Sequence, residues 1–386
     1  GALSNLKLLS TFRKPLLEDQ VEVKVYASGL NFRDVLNIMN LYPGNPGSIG
    51  GEFAGIVSKS NHKDYKVGDK VFGIATDCFA DYIVVNPLLI TKTENTNFSM
   101  LASLPDVALT VEHAFCHLTQ LKPNQNILIH AGADGIGLIA TQYALLHGCN
   151  VYITCSDEKR KYINSQVKQI TSSRDAEQFY NDFKDIKFDV VINSLSNNFI
   201  KYSFDFLKDE GVFLEIGKRD IWTHEQVNTY KPTIKYHTIA IDHLIKYEPE
   251  YIKKLLDIIN ARNLQPINYV EYPIEDAQSA FRFLQSGKNI GKVVITNNKP
   301  LEGNYIITGG TGSLGQITAR WLLSCGLEKV YLVSRSGKHI DEDIKHKCEI
   351  INLNLSKEEN VISLLQLPNI KGIIHSSGVL KDGLFN

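Results

Sequence analysis

Ile127-Leu128-Ile129-His130-Ala131-Gly132-Ala133-Asp134-Gly135-Ile136-Gly137 passes from a short apolar strand into a glycine-rich turn. Residues 138–147 then carry helical spacing and good helix formers, and Gly148 stops them. Val151-Tyr152-Ile153-Thr154 reads as the next strand. A strand, a glycine turn, a helix and a strand in that order open a parallel nucleotide-binding sheet. The turn must let backbone N–H groups approach a pyrophosphate at a helix N-terminus. Gly132, Gly135, Ile136 and Gly137 are therefore candidate cofactor-binding residues. Asp134 is in conflict with them, because it takes the middle position of the G-x-G-x-x-G spacing. A side chain there crowds the ligand, and a carboxylate repels phosphate.

Downstream, Phe188–Ile192 and Gly211–Ile216 read as further strands, and 250–262 and 274–285 as amphipathic helices. Phe179, Tyr180 and Phe183 read as packing residues. Lys292–Thr296 closes the unit, and the polar run Asn297-Asn298-Lys299-Pro300 marks a linker. The pattern then starts again: Asn304–Thr308 is a strand, 309–315 a glycine loop, 316–325 a helix and Lys329–Ser334 a strand. Here Gly310, Gly312 and Gly315 satisfy the full spacing, so Gly309, Gly310, Gly312, Leu314 and Gly315 form a second candidate cofactor loop. A base at the end of the second strand favours a coenzyme with a 2′-phosphate. Arg335 stands there in the second unit. The first has the mixed run Ser156-Asp157-Glu158-Lys159-Arg160, in which Ser156 and Lys159 are candidates. The plainer reading of that run is a solvated helix start with its acids first.

Before residue 98 the grammar differs. Residues 21–28 alternate with period two, and strand-like runs follow at 52–58, 70–74 and 81–85, separated by Pro-Gly and Gly-Asp turns. This is a compact β-rich unit. The whole chain has 386 residues, enough for about two or three domains at roughly 100–200 residues each. Its 41 basic and 42 acidic residues nearly cancel, which argues against a general nucleic-acid binder. No apolar run approaches the roughly 18 residues of a membrane span, and no signal peptide is visible. The six cysteines include no C-x-x-C pair, no His cluster completes a zinc pattern, and a reducing, cytoplasmic setting is expected. His113 and His117 stand four apart but lack a third ligand, so no metal site is expected. The chain reads as a piece of something longer.

Gly29-Leu30-Asn31-Phe32-Arg33-Asp34-Val35-Leu36, Leu41-Tyr42-Pro43-Gly44 and Gly51-Glu52-Phe53-Ala54-Gly55 resemble the enoylreductase domain of polyketide synthases and animal-type fatty acid synthases. Gly217-Lys218-Arg219-Asp220-Ile221 and Gly291-Lys292-Val293-Val294 continue the match in order, over roughly residues 1–297. That domain belongs to the zinc-free branch of the medium-chain dehydrogenase/reductases. Gly50-Gly51-Glu52 agrees, since zinc-bearing relatives have a His before the Glu. Residues 303–386 look like the N-terminal part of a ketoreductase domain, with Arg335 and His375-Ser376-Ser377-Gly378 fitting and Asn354 replacing the usual Asp. The family's ketone-reducing Ser, Tyr and Lys lie further on, so this unit is expected not to reduce a ketone by itself.

The resemblance implies an α/β fold: a GroES-like substrate domain from 1–98 and 240–297, a Rossmann-type doubly wound parallel sheet from 99–239, and a second, truncated Rossmann-type unit from 303–386. It also implies NADPH-dependent reduction of a 2-enoyl thioester held on the phosphopantetheine of an acyl carrier protein. Other synthase domains would share the polypeptide, with a homodimer formed through the full synthase. Tyr42, Lys218 and Asp242 become candidates for stabilising the enolate and supplying the α-proton, with Asp242 placed to orient Lys218. Which of them gives the proton stays open. Asn31, Thr110, Asn193 and Gly217 match positions near the cofactor. Taken alone, Tyr42 would be a turn-packing residue, Lys218 a surface lysine and Asp242 a helix cap. Two other readings stand beside this one: a quinone-reductase-like enzyme of free small molecules, and a non-catalytic scaffold, which Asp134 favours.

Overall fold

The computed structural model describes residues 3–42, 44–217, 219–262, 264–297, 301–337 and 340–378. Five strands come first: β1 (Val21–Leu30), β2 (Glu52–Ser60), β3 (Lys70–Ile74), β4 (Tyr82–Val85) and β5 (Ile90–Lys92). β6 (Asn126–Ile129), β7 (Asn150–Cys155), β8 (Gln169–Ser172), β9 (Phe188–Asn193), β10 (Leu207–Glu215) and β11 (Lys235–Thr238) follow. β12 (Tyr269–Pro273) and β13 (Lys292–Thr296) then return to the first sheet, whose order is β12-β13-β1-β2-β3-β5 with β4 on β1. The chain ends in β14 (Asn304–Thr308), β15 (Lys329–Ser334), β16 (Cys348–Asn352) and β17 (Ile370–His375).

The second sheet is parallel throughout, in the order β11-β10-β9-β6-β7-β8. Its direction of growth reverses between β6 and β9, the point at which doubly wound sheets bind ligands. The third sheet repeats the pattern in the order β16-β15-β14-β17. The period-two alternation of β1 predicts a strand with one wet face, but every residue except Lys24 is buried. β1 has β13, β2 and β4 as neighbours. Its polar side chains are also spoken for. Glu22 is paired with Arg13 and accepts from the Ser58 hydroxyl at 2.7 Å. Lys24 reaches the Cys325 sulfur of the third unit at 3.3 Å.

The helix after β6 runs Gly135–Leu146, a turn earlier than its apolar spacing suggests. Asp134 is its N-cap residue, with extended backbone (φ −85°, ψ 169°). The helix of 274–285 begins as a 3-10 turn and becomes α-helical over Ala277–Gln285. One apolar core, including Tyr26, Phe72, Val107, Ile129, Ile153 and Leu255, runs through the first two sheets. Phe179 and Phe183 are fully buried in a second core, and Tyr180 lies at its edge, against Phe206. Val67, from the turn after β2, is buried among Ile307, Leu322 and Leu332 of the third unit. That contact packs the third sheet against the first.

The crossover turn tolerates no added bulk. A Cβ on Gly137 would lie 2.5 Å from both the Ala131 carbonyl oxygen and the Gly132 Cα. Both are backbone atoms that cannot swing away. Gly137→Ala is therefore expected to destabilise the protein by about 1–3 kcal/mol, the usual cost of overpacking. A lowered thermal midpoint in a melting experiment checks it.

Candidate active site

The end of β6 sits between two neighbours. His130 N–H donates to the Ile192 carbonyl at 3.1 Å, and Gly132 N–H to that of Thr154 at 2.9 Å. Gly291 N–H donates to the Ala133 carbonyl at 2.8 Å, which ties the turn to the start of β13. Gly132 must be glycine because Ile153 occupies the space of a side chain, and Gly135 because the Lys292 stem does. No side chain caps the helix Gly135–Leu146, so its first N–H groups remain available to an anion. A glycine cradle leading to uncapped amides fits a dinucleotide coenzyme.

The conflict at Asp134 is resolved in an unexpected way. Its carboxylate does not stand alone against the phosphate position; it pairs with Lys159 Nζ at 2.9 Å. Lys159 keeps 12% of its side-chain exposure and Asp134 keeps 50%. The pair joins the residue expected to repel phosphate to the residue expected to bind it. Ser156 caps the 3-10 turn Asp157–Tyr162 by position, and Arg160 is held by Asp157 at 2.8 Å.

Beside the cradle lies a cavity of about 500 Å³, walled by Asn31, Thr110, Ile136, Ile216 and Asp242 among others. Such a volume lies within the usual range for small-molecule sites. A buried charged cluster adjoins its lining residues Asn31, Asp34 and Asp106. Glu52, fully buried, meets Lys292 Nζ at 2.6 Å and accepts from Asn31 Nδ2 at 2.8 Å and from the Asp106 backbone N–H at 2.8 Å. Lys292 Nζ also donates to the Asn31 side-chain oxygen. Asp34 accepts from the backbone N–H groups of Asn31 and Gly50, each at 2.9 Å, yet burial still raises its pKa. Asp106, in the first turn of the helix Pro105–Glu112, also lines the cavity. Burial, then the neighbouring Glu52 charge, pushes its carboxyl up to about 6, against the pull of Lys292. Thr110 spends its hydroxyl proton on the Asp106 carbonyl at 2.8 Å.

Tyr42 does not line the cavity. It stands behind Arg33, whose guanidinium lies 5.7 Å from its ring centre. Burial and the Asp242 charge raise the pKa of its phenol, so it stays protonated. Arg33 is within 3.7 Å of Asp242, and its Nε is buried without a hydrogen-bond partner. Asp242 is not the cap of its helix: Ala240 is, and Asp242 sits in the first turn of Ile241–Tyr247. Lys218 lies outside the described residues. Asn193 is fully buried and donates to Glu215 and to the Leu195 carbonyl, each at 2.9 Å. Gly217 N–H donates to Glu215 at 2.6 Å. Both residues therefore shape the ends of β9 and β10. His113 and His117 pack their rings edge-on against Tyr251, and His113 Nδ1 is 2.8 Å from its hydroxyl.

Gly309, Gly310, Gly312, Leu314, Gly315 and Arg335 gather at a different place, the ends of β14 and β15. Gly309 has φ +67°, and a Cβ on it would meet Ser376 and Ser377; one on Gly315 would lie 2.5 Å from the Gly310 Cα. Arg335 is exposed there.

Three family models match the chain: the alcohol dehydrogenase GroES-like domain over residues 17–90, the zinc-binding dehydrogenase over 166–295 and the KR domain over 303–386. The pikromycin polyketide synthase component PikAII of Streptomyces venezuelae is 31% identical over 400 residues, covering 96% of this chain and 11% of its own. The chain spans a quarter or less of the length of the curated relatives it matches first. The crystal structure of the CurK enoyl reductase is 31% identical with a TM-score of 0.72, over 77% of this chain and 97% of that one. Escherichia coli quinone oxidoreductase, solved in complex with NADPH, shares the fold at 23% identity and a TM-score of 0.67, over 77% of this chain and 97% of its own. Zinc appears in one family name, but the charged cluster does not suit it. An ammonium already occupies the Glu52–Asn31 corner, and among the described residues no group of three or more His, Cys, Asp or Glu is placed to hold a metal ion. Among those residues, too, no helix is long and apolar enough to cross a membrane.

Nothing local in the sequence gives Arg33, Glu52, Asp106 or Lys292 a part in this site. An Asp after Pro at a helix start looks like an ordinary first-turn acid. Only the proximity of Glu52 distinguishes it. Its raised pKa has a consequence for stability. Asp106 holds its proton in the folded protein to about pH 6, whereas unfolded it loses it near the ordinary value of 3.8. The folded state is thus increasingly penalised as pH rises from about 4 to above 6. Asp106→Asn removes that penalty, worth about 1–3 kcal/mol. The gain in thermal midpoint over wild type is expected to be larger at pH 7.5 than at pH 4.5, where only part of the penalty has developed.

Proposed function

The chain belongs to the enoyl reductase family of polyketide synthases, and on that premise we propose that it reduces a 2-enoyl thioester, presented by an acyl carrier protein, with NADPH. The observation that carries this reading is the cavity beside the glycine cradle, where Asn31, Thr110, Ile136 and Asp242 meet from four separate elements. Gly132, Gly135, Ile136 and Gly137 would hold the pyrophosphate, Ser156 and Lys159 the 2′-phosphate, and Asn31 and Thr110 the nicotinamide end. Bound there, the reduced nicotinamide supplies a hydride for the β-carbon.

The chain's own residues have two further tasks. Negative charge that develops on the thioester oxygen needs a cation or a donor, and the α-carbon needs a proton. Lys218 is the candidate donor; Tyr42, kept protonated, stands outside the cavity lining beside Arg33 and Asp242, and would act on the substrate only after moving inward. Asp242 and Arg33 form an ion pair at the cavity wall, and the buried, unpartnered Arg33 Nε is a further positive donor. The third unit carries a second coenzyme cradle of the ketoreductase type, with Arg335 beside it.

The test is turnover of a crotonyl thioester followed by NADPH absorbance. We expect activity in the wild type and a loss of about 100-fold or more in Lys218→Ala, the range for a lost acid or charge stabiliser. Micromolar NADPH binding without turnover would refute the substrate, and no binding would favour a scaffold role for the segment.

The Asp134–Lys159 pair yields a second expectation. Asp134→Gly frees Lys159 for the 2′-phosphate and removes a negative charge from the helix N-terminus. NADPH affinity is expected to tighten by roughly 5–50-fold at low salt, and less at high salt where the charges are screened. An unchanged or weaker dissociation constant would place Asp134 away from the phosphate.

A further inference from the structure

Asp106 is a carboxyl with no assigned task. Its backbone is used twice, by Glu52 and by Thr110, while among the described residues its side chain makes no hydrogen bond or ion pair, and it lines the cavity. The charged groups around it come from four elements: Glu52 on β2, Lys292 on β13, Asp34 on the helix Phe32–Ile38 and Asp242 on Ile241–Tyr247. Arg33 and Lys246 stand further round the same wall. Lys292, the cation that pulls against its proton, is already engaged by Glu52 and Asn31. Asp34 has two backbone donors to hold its charge. Among the described residues Asp106 has none, so it is the member of this cluster that gains and loses the proton.

Ile136 belongs both to the glycine cradle and to the cavity wall, so a dinucleotide seated in the cradle has its far end in this cavity. The oxidised nicotinamide ring carries a positive charge and the reduced ring does not. We infer that the Asp106 carboxyl sets the cavity's preference between the two redox forms of the coenzyme, favouring the oxidised form once it is ionised. The inference rests on the coenzyme reading above.

Linkage gives the sign. With the free carboxyl titrating at about 6, oxidised coenzyme expels its proton and binds more tightly as pH rises through that value. The neutral reduced ring gains nothing from the ionised carboxylate and displaces water from it, so its affinity is flat or falls. The coenzyme's own 2′-phosphate titrates in this window in both redox forms and cancels in the ratio.

The experiment measures dissociation constants of NADP+ and NADPH on the intact chain by calorimetry from pH 5.5 to 8, without substrate. In the wild type the ratio of the NADPH constant to the NADP+ constant is expected to rise roughly five- to tenfold, the order expected for one partly screened charge. In Asp106→Asn, and in Asp106→Ala should the first fold poorly, the ratio is expected to be independent of pH. Asp242→Asn is expected to keep the dependence. A flat ratio in the wild type overturns the inference. So does a dependence that survives in both Asp106 variants or vanishes in Asp242→Asn. Failure of either coenzyme to bind at any pH overturns the coenzyme reading itself, and the inference with it.

Discussion

The buried pair between Glu52 and Lys292 ties together two strands and the starts of two helices. Glu52 opens β2 and Lys292 opens β13, two strands that sit on either side of β1. Glu52 also holds the first turn of Pro105–Glu112 through the Asp106 N–H and the start of Phe32–Ile38 through Asn31. The Lys292 stem fills the space above Gly135, at the crossover of the second sheet. Two charges out of water cost several kcal/mol each, so the pair's net worth is modest. Loss of one partner is another matter, about 3–5 kcal/mol, because the other is left buried and unpaired.

That arrangement decides the electrostatics of the cavity. Asp34, Glu52 and Asp106 crowd round one buried ammonium. Among the described residues, two of the carboxyls are supplied with donors and the third is not. The excess proton therefore has a natural resting place beside the ligand space. A carboxyl poised near neutrality at such a position follows from counting donors, with no special geometry required.

Asp134 shows the same logic on the other side of the crossover. Read along the chain, it is a negative charge where a pyrophosphate is expected. In three dimensions Lys159, from the turn after β7, has swung across to neutralise it. No side chain, that of Asp134 included, caps the helix Gly135–Leu146. On the proposed reading, Asp134 and the coenzyme would compete for this one lysine.

The strand–glycine–helix–strand signature was legible twice in the chain because it is local: period, turn chemistry and stop signals all fall within about 30 residues. The boundaries of β13 and most of β2, β6 and β9 were readable for the same reason, and the quoted motifs were enough to point to the enoylreductase family. Other features had no local signature. Period two could not show that both faces of β1 would be covered, since its neighbours come from strands up to about 270 residues away. Spacing alone could not bring Glu52, Asp106 and Lys292 together, nor set Arg33 and Asp242 beside Tyr42. Burial and charge balance are properties of the packed state. Residue types can therefore announce a fold and its coenzyme loop, but only tertiary packing decides which acid keeps a proton and which lysine is free.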